Sequence, residues 1–238
     1  MTNDLILAVI PARAGSKGLR DKNLRMIRGK TLTQLAIEVA KSSVYIDQVL
    51  VSSDSYEILS GAKVSGVDIV LERADELSGD YVSALSVWQD ALVYAERILG
   101  RKISYSVYLE PTCPLRTVDH VNRCIEKLIH ENRDSVWTIS KVDKKLHPKK
   151  QLSLSDEGNL NYITADGEGF VARQLLEFSY IRNGACYAAT RDLIINQNRL
   201  IGNFSSAVVL DEFILSVDTA QDLLDIENYI INRVQNVD

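Results

Sequence analysis

Short apolar runs of strand length alternate with longer segments of helically spaced apolar residues over the first 142 residues of the chain. Runs of four to eight apolar residues bounded by turns are typical of buried strands, and apolar spacing of i, i+3 and i+4 is typical of amphipathic helices. The alternation predicts an α/β fold with a mostly parallel sheet and helices on both faces. The predicted strands are 5–10, 48–53, 68–72, 104–110 and 135–142, and the predicted helices are 31–43, 55–66, 82–100 and 118–132.

The alternation then stops, and we predict a small insertion subdomain at about 142–182 within a single domain covering residues 1–238. Ser53 or Asp54 is expected to cap the second helix, and Gly66 is expected to end it. The remaining predicted elements are a strand at 183–190, a strand pair within 208–218 and a closing helix at 219–234.

Polar and charged residues stand at the predicted ends of five strands. Because ligands of open parallel sheets bind outside the carboxyl ends of the strands, these residues are expected to meet in one crevice. They are the loop that begins at Arg13, the pair Ser53 and Asp54, Arg73, the segment from Glu110 to Thr112, and Asp218.

The charge of the chain is unevenly distributed. The whole protein has a net charge of −5, whereas residues 13–30 carry seven basic residues against Asp21 alone and therefore a net charge of +6. An acidic protein of this kind is not expected to bind nucleic acid or an anionic membrane through its overall charge. The sequence instead predicts a local site for a small anion.

The loop IPARAGSKGLRDKN carries this charge between glycines. It lacks the GxGxxG fingerprint of dinucleotide-binding proteins, which argues against a dehydrogenase, and it lacks the GxxxxGK[ST] motif of P-loop proteins. Glycine N–H groups and several cations together suit the oxygens of a polyphosphate, and a triphosphate matches this number of cations better than one phosphate. A solvated basic loop remains the alternative.

Three cysteines, Cys113, Cys124 and Cys186, show neither CxxC nor zinc-ligand spacing. They are expected to be small, buried, reduced residues of a cytoplasmic protein. The apolar run near the N-terminus is too short to span a membrane, and no basic segment precedes it, so neither a membrane span nor a signal peptide is expected.

The same basic loop resembles the N-terminal signature of the CMP-sialic acid synthetases, or acylneuraminate cytidylyltransferases. Further blocks resemble the family in the same order, namely YLEPTCPLR, LHPKK, RQLLEFSYIRNGACY and SVDT. The resemblance implies a three-layer, Rossmann-like nucleotidyltransferase fold with a small dimerisation insertion, and hence a homodimer. It also implies transfer of CMP from CTP to an acidic 3-deoxy-2-ulosonic sugar, with Mg²⁺ (or Mn²⁺) as cofactor and pyrophosphate as the second product.

The resemblance assigns roles to the matching positions. Triphosphate binding falls to Arg13, Lys17 and Lys22 with Gly15 and Ser16, cytidine binding to Asn23, Arg73 and Ser83, and sugar binding to Glu110, Lys150, Arg173, Asn183 and Tyr187. The implied catalytic residues are Arg13, Lys22 and Asp218. Each role has a structural alternative: Arg73 and Arg173 as surface ion-pair partners, Lys150 as a solvated lysine, and Tyr187 as a core aromatic residue.

Departures from the family pattern bear on mechanism. Relatives commonly carry D-x-D-T, whose two carboxylates share one face of a strand, but Ser216 replaces the first of them here. Glu110 stands where sialic acid members often have Gln, and our hypothesis is that Glu110 and Asp218 together hold Mg²⁺. Ala84, with Ser83 beside it, stands where relatives usually have a serine that contacts the base, so cytosine recognition is expected to be rearranged. Ile181, with Arg182 adjacent, replaces a basic residue of some members, so sugar preference is expected to differ from N-acetylneuraminate.

Two other functions stay open at this point. One is a different sugar nucleotidyltransferase that uses another nucleoside triphosphate, and the other is a nucleotide-binding homologue whose metal site is impaired by Ser216.

Overall fold

The computed structural model describes residues 4–15, 18–169, 174, 176–212 and 214–235. The strands are β1 (Ile6–Pro11), β2 (Met26–Ile27), β3 (Lys30–Thr31), β4 (Gln48–Ser53), β5 (Ile69–Glu72), β6 (Tyr105–Tyr108), β7 (Ser135–Lys141), β8 (Leu152–Leu154), β9 (Leu160–Tyr162), β10 (Tyr180–Thr190) and β11 (Ser206–Leu210). The α-helices are α1 (Leu32–Ser42), α2 (Tyr56–Val64), α3 (Ala84–Leu99), α4 (Val118–His130) and α5 (Ala220–Gln235). A short π-helix spans Asp192–Asn196.

Seven strands form the central sheet in the order β11-β7-β10-β6-β1-β4-β5. All neighbouring pairs are parallel except those of β10, which is antiparallel to both β6 and β7. The start of β10 therefore lies at the same edge as the carboxyl ends of the six other strands. This shared edge is where the sheet can present side chains to a ligand.

Alternate residues of β1 show how the layers are built, because successive side chains of a strand point to opposite faces. Ile6, Ala8 and Ile10 join a buried cluster with residues of α1, α2 and α4, whereas Leu7 and Val9 join a second cluster with residues of α3. The expected three-layer α/β architecture with a mostly parallel sheet is thus confirmed.

Two local predictions are wrong. The segment 208–218 does not form a strand pair: β11 ends at Leu210, and the described residues after it up to 218 form no strand. The cap of α2 is neither Ser53 nor Asp54, since the Oγ of Ser55 accepts a hydrogen bond from Ile58 N at 3.3 Å. The predicted end is correct, because Gly66 adopts a left-handed conformation with φ of 70° just past the helix.

Residues 142–179 connect β7 to β10, and the described part of this connection carries little regular structure. It includes the 3₁₀ turns Lys144–Leu146 and Pro148–Lys150 and the β8–β9 hairpin, and the last residues of the predicted insertion, from Tyr180 onward, belong to the sheet. Apolar side chains in and beside this connection are exposed: Leu146, Leu152, Leu154, Leu160, Tyr162, Ile163, Phe178 and Tyr180. All three cysteines are buried and unpaired, as expected. None of the described helices is long and apolar enough to cross a membrane.

Candidate functional site

A cleft with a cavity volume of about 920 Å³ lies at the ligand edge of the sheet. Eight of the predicted site residues line it: Arg13, Lys22, Asn23, Arg73, Glu110, Asn183, Tyr187 and Asp218. Gly15 is in the left-handed region with φ of 63°, but it is not part of the lining. Ser16, Lys17 and Arg173 lie outside the described residues.

The loop after β1 is tied to the sheet beside it. Ala12 N donates to the carbonyl of Ser52 at 2.9 Å, and the Oδ1 of Asp54 accepts from Ala14 N at 2.6 Å. On the other side of the loop, Asn23 Nδ2 donates to the carbonyl of Arg13 at 2.8 Å. These bonds hold the loop backbone around Arg13 at the mouth of the cleft, so the Cα atom from which this cationic side chain extends is held in place.

Two loop cations pair with carboxylates across the cleft mouth. Arg13 Nη1 lies 2.8 Å from Asp80 Oδ1, and Lys22 Nζ lies 2.9 Å from Asp218 Oδ1. Gly18 lets the loop approach the segment at Asp218 closely, since a Cβ at this position would lie 2.7 Å from the carbonyl oxygen of Asp218. The loop and the Asp218 segment therefore form one wall of the site.

Asn23 and Arg73 are buried polar residues at the cleft. The Oδ1 of Asn23 has no hydrogen-bond partner among the residues that the structure describes, which leaves a buried acceptor open to a ligand. Arg73 donates from Nη2 to the carbonyl of Ser52 at 2.7 Å and from Nε to the Ser52 hydroxyl at 3.0 Å. Burial lowers the pKa of Arg73, because the surroundings disfavour its charge. The surface ion-pair interpretation of Arg73 is wrong.

Glu110 stands just after β6 in the middle of the cleft. Burial raises the pKa of Glu110, while the positive charges of Arg116, Arg182 and Lys22 oppose that shift. Arg116 lies buried beside it and donates to the carbonyls of Glu110, Gly184 and Ala185, so its guanidinium joins β6 to β10.

The backbone of Gly184 makes room for the Glu110 carboxylate. Gly184 has φ of 76°, and a Cβ there would lie 3.0 Å from Glu110 Oε2. Glycine adopts this conformation without strain and leaves the space that the carboxylate needs. The β10 backbone is irregular here, since its register against β7 shifts between Arg182 and Tyr187.

Asn183 and Tyr187 are placed by the sheet. The Oδ1 of Asn183 accepts from the Thr138 hydroxyl at 2.7 Å, and its Nδ2 donates to the Ser140 hydroxyl at 3.0 Å. Tyr187 packs edge-on against Trp137 with ring centroids 4.8 Å apart, and burial raises its pKa. Both residues border the cleft while also belonging to the buried sheet, so the core interpretation of Tyr187 and its predicted site role are compatible.

Besides Gly15, two further predicted residues are not brought into the cleft lining. The Oγ of Ser83 caps α3 by accepting from Ser86 N at 3.0 Å, and its neighbours Val82 and Ala84 line the cleft instead. Lys150 lies at the end of a 3₁₀ turn in the connection 142–179 and is absent from the lining.

Several lining residues were not singled out by the sequence: Asp80, Tyr81, Tyr108 and Ser140. Tyr108 is the last residue of β6, and its position at a strand end is the one signal that points to it. Tyr81 is fully exposed on the loop before α3, and its surroundings gave no pattern to detect it.

The fold and the cleft together define an α/β protein of the three-layer nucleotidyltransferase class. A solved structure with a closely similar fold is a CMP:2-keto-3-deoxy-manno-octonic acid synthetase complexed with CTP; the TM-score is 0.69 at 17% identity, covering 97% of this chain and all of that one. At this identity the likeness shows the fold alone. A family model described as cytidylyltransferase matches residues 7–183, and the chain belongs to this family.

Two relatives illustrate the similarity. An N-acylneuraminate cytidylyltransferase of Escherichia coli O18:K1:H7 is 29% identical over 220 residues, 91% of this chain and 50% of that protein. The CMP-N,N'-diacetyllegionaminic acid synthase of Legionella pneumophila is 30% identical over 216 residues, 90% of each. The chain thus spans about half the length of the first relative and nearly all of the second.

Proposed function

We propose that this chain is a cytidylyltransferase that activates an acidic 3-deoxy-2-ulosonic sugar. The anomeric hydroxyl of the sugar attacks the α-phosphorus of CTP, the bond from that phosphorus to the bridging oxygen breaks, and CMP-sugar and pyrophosphate leave. The observation that carries the proposal is the opposition of loop cations to Glu110 and Asp218 within one cleft of a chain in this family. The names of the two relatives, which refer to nonulosonic acids, support the acceptor class.

The loop side of the cleft is proposed to bind the nucleotide. Arg13 and Lys22 supply charge-assisted hydrogen bonds to the phosphate oxygens, and Lys17 is predicted to add a third cation. The open acceptor on Asn23 suits the amino group of cytosine, since a donor there would satisfy a buried oxygen. Arg73 supplies a buried cation at the same end of the cleft.

Glu110 and Asp218 are proposed to hold Mg²⁺ (or Mn²⁺). The donor set fits such an ion, because Mg²⁺ is usually bound through one or two carboxylates together with substrate phosphates. Both side chains line the cleft, and the negative charge of Asp218 adds to the rise in the pKa of Glu110 that burial causes. When bound, the ion would neutralise charge that develops on the phosphates.

The remaining catalytic contribution comes from positioning. Lys22 and Arg13 hold the leaving pyrophosphate and balance its charge, and the hydrogen bonds of the loop backbone keep Arg13 beside the cleft. No covalent enzyme intermediate is needed, because the acceptor hydroxyl attacks phosphorus directly.

We also propose that the protein is a homodimer acting in the cytoplasm. Leu152, Leu154 and Leu160 expose 47%, 69% and 63% of their surface on one small hairpin, and a second copy of the chain would cover them. The three unpaired cysteines suit a reducing compartment, in which CTP is also available.

The test is incubation with CTP, Mg²⁺ and a panel of acids: N-acetylneuraminate, legionaminate, pseudaminate and 3-deoxy-octulosonate. We expect pyrophosphate release with at least one acid, and a CMP-sugar of matching mass. Release with another nucleoside triphosphate or with sugar 1-phosphates would indicate a different nucleotidyltransferase. Binding of CTP without release with any acid would indicate an impaired nucleotide-binding homologue.

A further inference from the structure

Arg182 differs from the other cations of the cleft. Arg13 pairs with Asp80, Lys22 pairs with Asp218, and Arg73 is bonded to Ser52. Arg182 also lines the cleft, yet its side chain makes no hydrogen bond or ion pair with the described part of the chain. Its charge is therefore available to a ligand.

The start of β10 explains why Arg182 reaches the cleft. Side chains of a regular strand alternate between faces, but four consecutive residues, Ile181 to Gly184, line the cleft. The positive φ of Gly184 and the register shift that follows Arg182 break the alternation. Arg182 and Asn183 can consequently border the same space.

Arg182 lies at the opposite end of the cleft from the nucleotide side. In the sheet, β10 is separated from β1 by β6 alone, which places it roughly 10 Å from the strand that carries the basic loop. Arg73 follows β5, at the far edge of the sheet. In the proposed function the nucleotide occupies the loop side, so the β10 side of the cleft remains for the acceptor.

Arg116, the other arginine at this end of the cleft, is not available to bind a ligand. The guanidinium of Arg116 is buried and donates to three backbone carbonyls, so it stabilises the join between β6 and β10. Arg182 is exposed and lies within electrostatic reach of Glu110 and Tyr187, which border the same end of the cleft.

We propose that Arg182 binds the carboxylate of the acceptor sugar and determines the preference for acidic sugars. A guanidinium can form two parallel hydrogen bonds to a carboxylate, which fixes both the position and the orientation of the acid. This inference rests on the proposed function. It assigns carboxylate binding to a residue other than Lys150 and Arg173, the two basic residues that were predicted to bind the sugar. The exposed side chain of Ile181 adds an apolar surface beside the guanidinium.

The experiment compares wild type, Arg182→Met and Arg182→Lys with whichever acid of the panel the wild type activates, and with the carboxamide of that acid. We expect Arg182→Met to raise the KM for the acid about 10- to 100-fold while the KM for CTP stays unchanged. Arg182→Lys should lie between the two, because lysine keeps the charge and loses the paired geometry. Wild type should prefer the acid over the carboxamide, and Arg182→Met should lose that preference.

Arg97→Met is the matched control, since Arg97 is an exposed arginine on α3 and lies outside the cleft lining. It should leave both KM values unchanged. An unchanged acid preference in Arg182→Met, or an equal rise in the KM for CTP, would overturn the role of Arg182 and leave the proposed function intact. If wild type activates no acid of the panel, the proposed function is wrong and the role of Arg182 fails with it.

Discussion

The loop after β1 and the connection 142–179 both leave the sheet at the same edge, yet they are built differently. The loop is tied down by Asp54 and Asn23, and a carbonyl oxygen at Asp218 abuts Gly18. Where it is described, the connection consists of turns and a short hairpin with exposed apolar side chains. The loop lines the cleft, whereas no described residue of the connection does, so the sheet and its loop fix the nucleotide side and the connection lies outside the cleft.

The largest expected effect is on the nucleotide side. Lys22→Met removes a cation that is proposed to balance the leaving pyrophosphate, and we expect turnover to fall on the order of 100- to 1,000-fold. Pyrophosphate release at saturating CTP measures the effect. Lys30→Met is the matched control, because Lys30 pairs with Glu38 outside the cleft. Equal losses in the two variants would show that general charge, not the position of Lys22, matters.

Glu110→Gln tests the middle of the cleft, between the nucleotide side and the acceptor side. If Glu110 helps to hold Mg²⁺, we expect Mg²⁺-dependent turnover to fall on the order of 100-fold. Turnover measured across a Mg²⁺ titration checks this, and intact dependence on Mg²⁺ would sink the proposed role of Glu110.

The same variant has an independent effect on stability. Burial raises the pKa of Glu110 above its usual 4.5, so the carboxyl holds its proton more tightly in the folded protein than in the unfolded chain. The folded protein therefore loses stability as the pH rises from 4.5 through the raised pKa of this group. The amide introduced by Glu110→Gln carries no charge to bury. The melting temperature of Glu110→Gln should therefore equal that of wild type near pH 4 and exceed it near pH 7, and a constant difference across this range would contradict the buried carboxyl.

A smaller effect is expected from Gly18→Ala. The added Cβ would lie 2.7 Å from the carbonyl oxygen of Asp218, so the loop must move, and we expect the Kd for CTP to rise about tenfold. Calorimetric titration with CTP measures the change. Gly61→Ala, at an open position within α2, is the control and should leave CTP binding unchanged. Unchanged binding in Gly18→Ala would show that the loop is looser than its contacts indicate.

The smallest effect on the reaction is expected from a substitution in the connection 142–179. Leu154→Glu places a charge on the exposed hairpin, and we expect sedimentation equilibrium to show a shift from dimer to monomer with unchanged CTP affinity. Val64→Glu, an equally apolar exposed position on α2, should leave the mass unchanged. A wild-type protein that sediments as a monomer would refute the proposed homodimer.

The parts of the molecule that follow from local pattern could be predicted from the sequence. Apolar runs located β1, β4 and β5, and the meeting of parallel strand ends brought Arg13, Arg73 and Glu110 into one cleft. The direction of β10 could not be predicted, because a buried strand has the same apolar sequence pattern whether its neighbours are parallel or antiparallel to it. Arg182 was passed over as a site residue for the same reason, since its access to the cleft depends on that direction and on the irregular backbone at Gly184.

The cap of α2 illustrates a second limit. Ser53, Asp54 and Ser55 are all good capping residues, so composition cannot choose among them. Ser55 caps the helix, whereas the Asp54 carboxylate accepts from Ala14 N in the neighbouring loop and the Ser53 hydroxyl accepts from Ser55 N. The described residues after Leu210 form no strand although the segment is apolar, and Val217 N donates instead to the carbonyl of Thr112 at 2.7 Å.

The antiparallel direction of β10 also bears on how relatives of this protein can diversify. Because Lys141 and Tyr180 are paired neighbours, the connection 142–179 leaves the sheet and returns to it at one point of the same edge. A segment anchored in this way can change in length or sequence without requiring a new crossover beneath the sheet. Since none of its described residues lines the cleft, recombination within this stretch would exchange the exposed apolar surface while the residues of the cleft are inherited intact.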